Sequence, residues 1–228
     1  MNSRIKHKLF LFIYAIYVPL YIGAFFLVEK LVPESADYWV SYIFLDDYIP
    51  FREEFIVFYY LWYPALVAIG VFLLIKDESE YKRYMMSIII TFTFTLIFCL
   101  LVPNGQDLRP EVFPRDNMFT HMIAAIYKAD TNTNVMPSVH AIGAFLGLIS
   151  THRTKQIKKK LSIFVLDIIW LLIAISTCFV KQHSILDIFG SMVVCLLVYV
   201  IRLYIEDDFH LRNTKKFNCF LRNRKIYN

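Results

Sequence analysis

Six apolar runs, at residues 9–28, 55–75, 85–102, 139–150, 161–180 and 185–205, constrain this chain more than any other feature. Most approach the roughly 20 residues that a helix needs to cross a bilayer core. Lipid offers no hydrogen bonds to a bare backbone, so such segments cross as helices or as closed barrels. Runs this long and this evenly apolar predict helices. The fold expected is therefore all-α: a polytopic membrane protein with six transmembrane helices in one bundle. The fourth run is short. It spans only if it starts at Pro137 or earlier and runs into residues 151–153, or if its neighbours bury it. The first run begins like a signal peptide, with Arg4, Lys6 and Lys8, but it is too long and no small-residue cleavage site follows. It reads as a retained helix. Four cysteines, Cys99, Cys178, Cys195 and Cys219, form no CxxC or Cys/His zinc pattern, which argues against a disulfide framework.

Basic residues set the expected orientation. With six spans, the N-terminus, loops 76–83 and 151–160 and the C-terminal tail share one side. That side holds 18 of the 24 Lys and Arg. The other holds Lys30, Arg52, Arg109, Arg115, Lys128 and Lys181. Both termini are thus expected to be cytoplasmic. The net charge of +5 is explained by basic loops facing anionic head groups, so no nucleic-acid partner is expected.

Under this orientation the loop 103–136 and the starts of the fourth and sixth runs fall on the extracytoplasmic side. Two histidines sit there. His183 and Asp187, in Lys181-Gln182-His183-Ser184-Ile185-Leu186-Asp187, are four apart and share a helical face. An Asp inside an apolar segment is costly and points to function. A carboxylate one turn from an imidazole fixes its tautomer and supports its charged form, as a nucleophile or base requires. His140, in Pro137-Ser138-Val139-His140, opens the other run. Pro137 suits the first turn of a helix. The two helix starts, with their dipoles and free N–H groups, suit an anion.

Phosphate-ester cleavage needs donors on the phosphoryl oxygens, an in-line nucleophile and an acid for the leaving oxygen. His183 with Asp187 supplies the nucleophile, and His140 is left as the acid. Arg109, Ser138 and Lys181 are the candidate phosphate ligands. Arg115 is a second choice to Arg109. His121, Asp130 and Asn134 either shape the pocket or cap a loop helix, and capping is the expectation. Asp46, Asp47, Glu53 and Glu54 read as a solvated acidic face. His7, His152 and His210 fall on the wrong side. The Phe and Tyr excess reads as mostly lipid-facing.

In Leu108-Arg109-Pro110, Pro137-Ser138-Val139-His140 and His183-xxx-Asp187, in this order, the chain resembles the type 2 phosphatidic acid phosphatase superfamily. Its motifs are KxxxxxxRP, PSxH and SRxxxxxHxxxD. The Lys of the first motif is replaced by Val102 and the Arg of the third by Thr177; Ser176 matches. Residues 45–51, 59–64 and 181–183 look more like the inositol phosphorylceramide synthase-like branch. The resemblance implies a single membrane domain over 1–228, with its catalytic core at about 85–205 and a basic cytoplasmic tail at 206–228. It implies a lipid-phosphate phosphatase working through a phosphohistidine at His183, with no metal and no cofactor. Its partners are a lipid phosphate substrate and membrane lipids, probed at a plasma-membrane, extracytoplasmic site. The alternatives are a lipid phosphotransferase, which hands the phosphoryl group to an alcohol, and a non-catalytic lipid transporter or binding protein.

Overall fold

The computed structural model describes residues 11–33 and 35–203 of the chain. Arg4, Lys6, His7, Lys8, His210, Cys219 and the tail 206–228 lie outside the described residues. The described chain is mostly helical. A short 3-10 turn, Phe12–Ile16, leads into α1 (Tyr17–Leu31), followed by α2 (Ile56–Lys76), α3 (Glu78–Leu101), α4 (Met118–Ala129), α5 (Val139–Arg153), α6 (Lys160–Phe179) and α7 (Ile185–Leu203). Five helical stretches are long and apolar enough to cross a membrane: Phe12–Leu31, Glu53–Lys76, Glu78–Leu101, Lys160–Phe179 and Ile185–Leu203. Among the described residues, those up to Cys195 form one compact unit and those from Leu196 belong to a second. All of the site described below lies in the first.

The fourth run behaves differently from the other five. Its helix, α5, has 15 residues, about 22 Å at 1.5 Å per residue, short of a core about 30 Å thick. It packs against α2, α3 and α6. Small residues permit this. A Cβ on Gly147 would meet the Trp170 ring of α6 at 2.5 Å, and one on Gly143 would meet Trp62 Nε1 of α2 at 2.5 Å. Both tryptophans lie flat against α5 because nothing projects there. Ala141, Ile142 and Ala144 are fully buried beside them. Burial by neighbours, one of the two conditions expected for this run, is met.

Several polar side chains inside the helices find partners nearby. Thr91 and Thr95 donate to the carbonyls of Ser87 and Thr91, at 2.8 and 3.1 Å, which hides each hydroxyl within its own helix. At the end that carries the basic loops, Asp77 caps α3 by accepting from Glu80 N–H and also accepts from Thr154 Oγ1 at 2.7 Å. Glu80 is buried and receives Ser150 Oγ at 3.0 Å and Arg153 Nε at 3.2 Å.

At the opposite end two short strands depart from the all-α expectation. Trp39–Val40 (β1) pairs in parallel with Asn104–Gly105 (β2), and Gly105 also bridges to Thr133. This pairing ties the connection after α1 to the two loops that flank α4. It brings residues 41–49 against the start of α7.

Candidate active site

His183 lies just before α7, in a turn built on the carbonyl of Thr177. Gln182 and His183 both donate their N–H to that oxygen, at 2.9 and 3.2 Å. Lys181 adopts φ 54°, the left-handed conformation that reverses the chain here. His183 Nδ1 sits 3.2 Å from Asp187 Oδ2, as the four-residue spacing predicts. Asp187 is completely buried. Its Oδ2 also accepts from Ser184 N–H at 3.0 Å, and its Oδ1 from Ser41 Oγ at 2.5 Å. The carboxylate is thereby aimed at Nδ1, which leaves Nε2 as the ring nitrogen that Asp187 does not engage.

His140 stands on the first turn of α5. Its ring is sandwiched between Tyr59 and Trp62, with centroid distances of 4.2 and 4.3 Å. Its Nε2 is buried with no hydrogen-bond partner, an arrangement that needs an explanation in a folded protein. The rings of His140 and His183 are 6.4 Å apart, and both line one cavity of about 680 Å³. Of the trio expected from the sequence, His140 and His183 border this space, and Asp187 lies behind His183, away from it.

The expected phosphate ligands are arranged otherwise. Arg109 donates through Nη2 to the carbonyls of Asp130 (2.8 Å) and Thr131 (2.7 Å) and to Gln182 Oε1 (2.7 Å). Its guanidinium also lies 4.3 Å over the Tyr127 ring. It fastens the loop after α4 to the residue beside His183. Ser138 is the N-cap of α5, accepting from Ala141 N–H, and Pro137 precedes the cap instead of occupying the first turn. Lys181 Nζ donates to the carbonyls of Asp46 at 3.1 Å and Ile49 at 2.6 Å. Burial lowers the pKa of this ammonium. None of the three lines the cavity, and no Lys or Arg is among its lining residues.

Asp46 corrects two expectations. It is 2 % exposed, so it is no part of a solvated acidic face. Its carboxylate accepts from Ser184 Oγ at 2.6 Å, Ile185 N–H at 2.8 Å and Ile43 N–H at 3.0 Å. The start of α7 was expected to hold a substrate anion. It holds this carboxylate instead, because an anion supplied by the chain itself satisfies the same N–H groups. Glu53, equally buried, takes a bidentate pair from Arg115 at 2.5 and 2.7 Å. That pairing removes Arg115 from the candidate ligands.

Two further expectations change. Asn117, not His121, caps α4, and His121 pairs with Asp116 at 2.6 Å. Asp130 ends α4 and Asn134 follows in the left-handed conformation (φ 57°), and both line the cavity. Burial, reinforced by nearby Glu29, pushes the Asp130 carboxyl up to about 6. Several aromatic residues expected to face lipid, among them Tyr21, Phe25, Tyr63 and Phe92, line the cavity too.

Among the described residues no group of three or more His, Cys, Asp or Glu is placed to hold a metal ion. Compared with family models, curated proteins and solved structures, the chain matches none.

Proposed function

We propose that this protein is an integral membrane phosphatase that cleaves lipid phosphates through a phosphohistidine on His183. The observation that carries the reading is the 6.4 Å separation of the His140 and His183 rings across a shared cavity. In-line attack sets a phosphorus about 3–3.5 Å from the attacking nitrogen. The acid then lies about 2.6–3.2 Å from the leaving oxygen. Two rings whose centres lie 6.4 Å apart can both reach one phosphoryl group that sits beside them in the cavity.

In this reading His183 Nε2 attacks phosphorus and the bond to the leaving alkoxide breaks. His140 gives that oxygen its proton. Asp187 holds the Nδ1 proton and stabilises the charged imidazole, with Ser41 holding Asp187 in turn. His140 then takes a proton from water, which attacks the phosphohistidine and frees phosphate and His183. Arg109, Ser138 and Lys181 are assigned to the frame that positions the histidines, because their donors or hydroxyl serve protein partners. In the same reading α5 is the sixth crossing, both termini are cytoplasmic, and the site opens extracytoplasmically at the plasma membrane.

The test is phosphate release from a panel of lipid phosphates in mixed micelles by the full chain and by His183→Ala. Release that disappears in the variant, together with acid-labile, base-stable phosphate on the wild-type protein, supports the reading. Product that appears only with an added alcohol makes the protein a phosphotransferase. Absence of labelling with every lipid phosphate makes it a binder.

A further inference from the structure

The cavity extends far beyond the histidines. α1 and α2 both pack on α3, and the cavity lies between them. Tyr21 and Phe25 form one wall and Leu66, Gly70 and Leu74 the other, with Tyr84 on the floor. The edge residues Val18, Ile22, Val67 and Val71 are exposed, so the slot opens sideways, along the faces that meet lipid. His140, His183, Asp130, Asn134 and Gln182 are among its polar lining residues, and most of the remaining lining is aliphatic or aromatic.

We propose that this slot takes one hydrocarbon chain, not two, and that Gly70 sets how far the chain reaches. The inference rests on the lipid-phosphate reading for the head group only. Along α2 the lining runs from Tyr59 to Leu74, fifteen residues or about 22 Å. An extended chain gains about 1.2 Å per single bond, so this length matches a chain of about 16–18 carbons. The volume agrees. At roughly 30 Å³ per water-sized group, about 680 Å³ holds about 23 such groups, enough for one chain and its head. Two chains of that length would need about 1,000 Å³ on the same scale. Gly70 lies eleven residues beyond Tyr59, about 16 Å down the slot, level with about the thirteenth carbon. A Cβ there would touch Tyr84 at an ordinary 3.5 Å. A leucine at 70 is therefore compatible with the helix and projects into the path of the chain.

The experiment compares hexadecyl phosphate, decyl phosphate and dihexadecanoyl phosphatidate with the full-length wild type, Gly70→Leu and Val71→Trp. The expected result is that wild type prefers hexadecyl phosphate over both others. In Gly70→Leu the hexadecyl-to-decyl ratio of kcat/KM falls at least about tenfold, because each methylene kept from burial forfeits about fourfold. A ratio within one preparation is insensitive to the fraction folded. Unchanged ratios in both variants, or phosphatidate used as well as hexadecyl phosphate, overturn the proposal. Binding of hexadecylphosphonate is measured alongside with His183→Ala. Chain-length-dependent binding without turnover of any phosphate by wild type would sink the phosphatase reading and leave the slot standing. Absence of both overturns the slot as well.

Discussion

Ser41 donates its hydroxyl to Asp187 at 2.5 Å from 146 positions away in the sequence. Both side chains are completely buried, so neither can turn to water for another partner. The carboxylate that orients His183 is thus itself oriented by the connection between α1 and α2.

Ser41→Ala leaves Asp187 Oδ1 short of a donor in a buried site, a loss of about 1–3 kcal/mol in stability. Turnover should fall with it. An imidazole misaligned by about 1.4 kcal/mol in the transition state costs about tenfold in kcat. KM should hold, since Ser41 does not line the cavity. Steady-state kinetics and thermal unfolding on one preparation check both parts, and unchanged kcat would remove Ser41 from the relay.

Lys181→Met keeps the aliphatic stem and deletes the ammonium that holds the Asp46 and Ile49 carbonyls. The midpoint of unfolding should drop by the equivalent of about 1–3 kcal/mol, with KM for lipid phosphate unaltered. A raised KM at unchanged stability would return Lys181 to the role of a phosphate ligand.

Asp130 gives a pH dependence. Its carboxyl sits at about 6 in the fold against an ordinary 3.8, so the folded state binds the proton more tightly than the unfolded chain. Stability is then lost as pH rises from about 4 to about 6 and stays lower above that. Asp130→Asn should raise the unfolding midpoint at pH ~7 by the equivalent of about 1–3 kcal/mol and leave it unchanged at pH ~4. Thermal scans of both proteins across this range decide it, and equal shifts at both ends would refute the assignment.

Gly143→Ala forces a Cβ to within 2.5 Å of Trp62 Nε1, and Trp62 stacks on His140 at 4.3 Å. Overpacking of this kind costs about 1–3 kcal/mol. Because the displaced ring is the one that holds His140, activity should fall more than stability accounts for. Comparing kcat at a temperature where the variant is fully folded tests this. A variant of normal kcat would show that the sandwich does not position His140.

The sequence made the helices and the His183–Asp187 pair legible because both depend on short-range spacing. Apolar runs of membrane length announce themselves, and the His183–Asp187 contact is one helical turn. The short run 139–150 could also be read as a helix in need of cover. What could not be read were the roles of charged residues whose partners are distant. Arg109 and Lys181 carry the right charge at the right boundary, yet the acceptors that take them up are backbone carbonyls at 130, 131, 46 and 49. No side-chain pattern marks a carbonyl as needing a donor. The same holds for Asp46, whose partners, Ser184 and Ile185, follow about 140 positions later. The cavity depends on the gap between α1 and α2, and neither helix alone encodes it.

The distance between Ser41 or Asp46 and the helix they hold has a consequence for biosynthesis. A ribosome adding about 5–20 residues per second delivers Ser41 and Asp46 on the order of ten seconds before Asp187. Through that interval the nascent chain carries Ser41 and Asp46 without the helix start that they hold. In the proposed reading, catalytic competence therefore arrives abruptly, with the segment that carries His183 and Asp187.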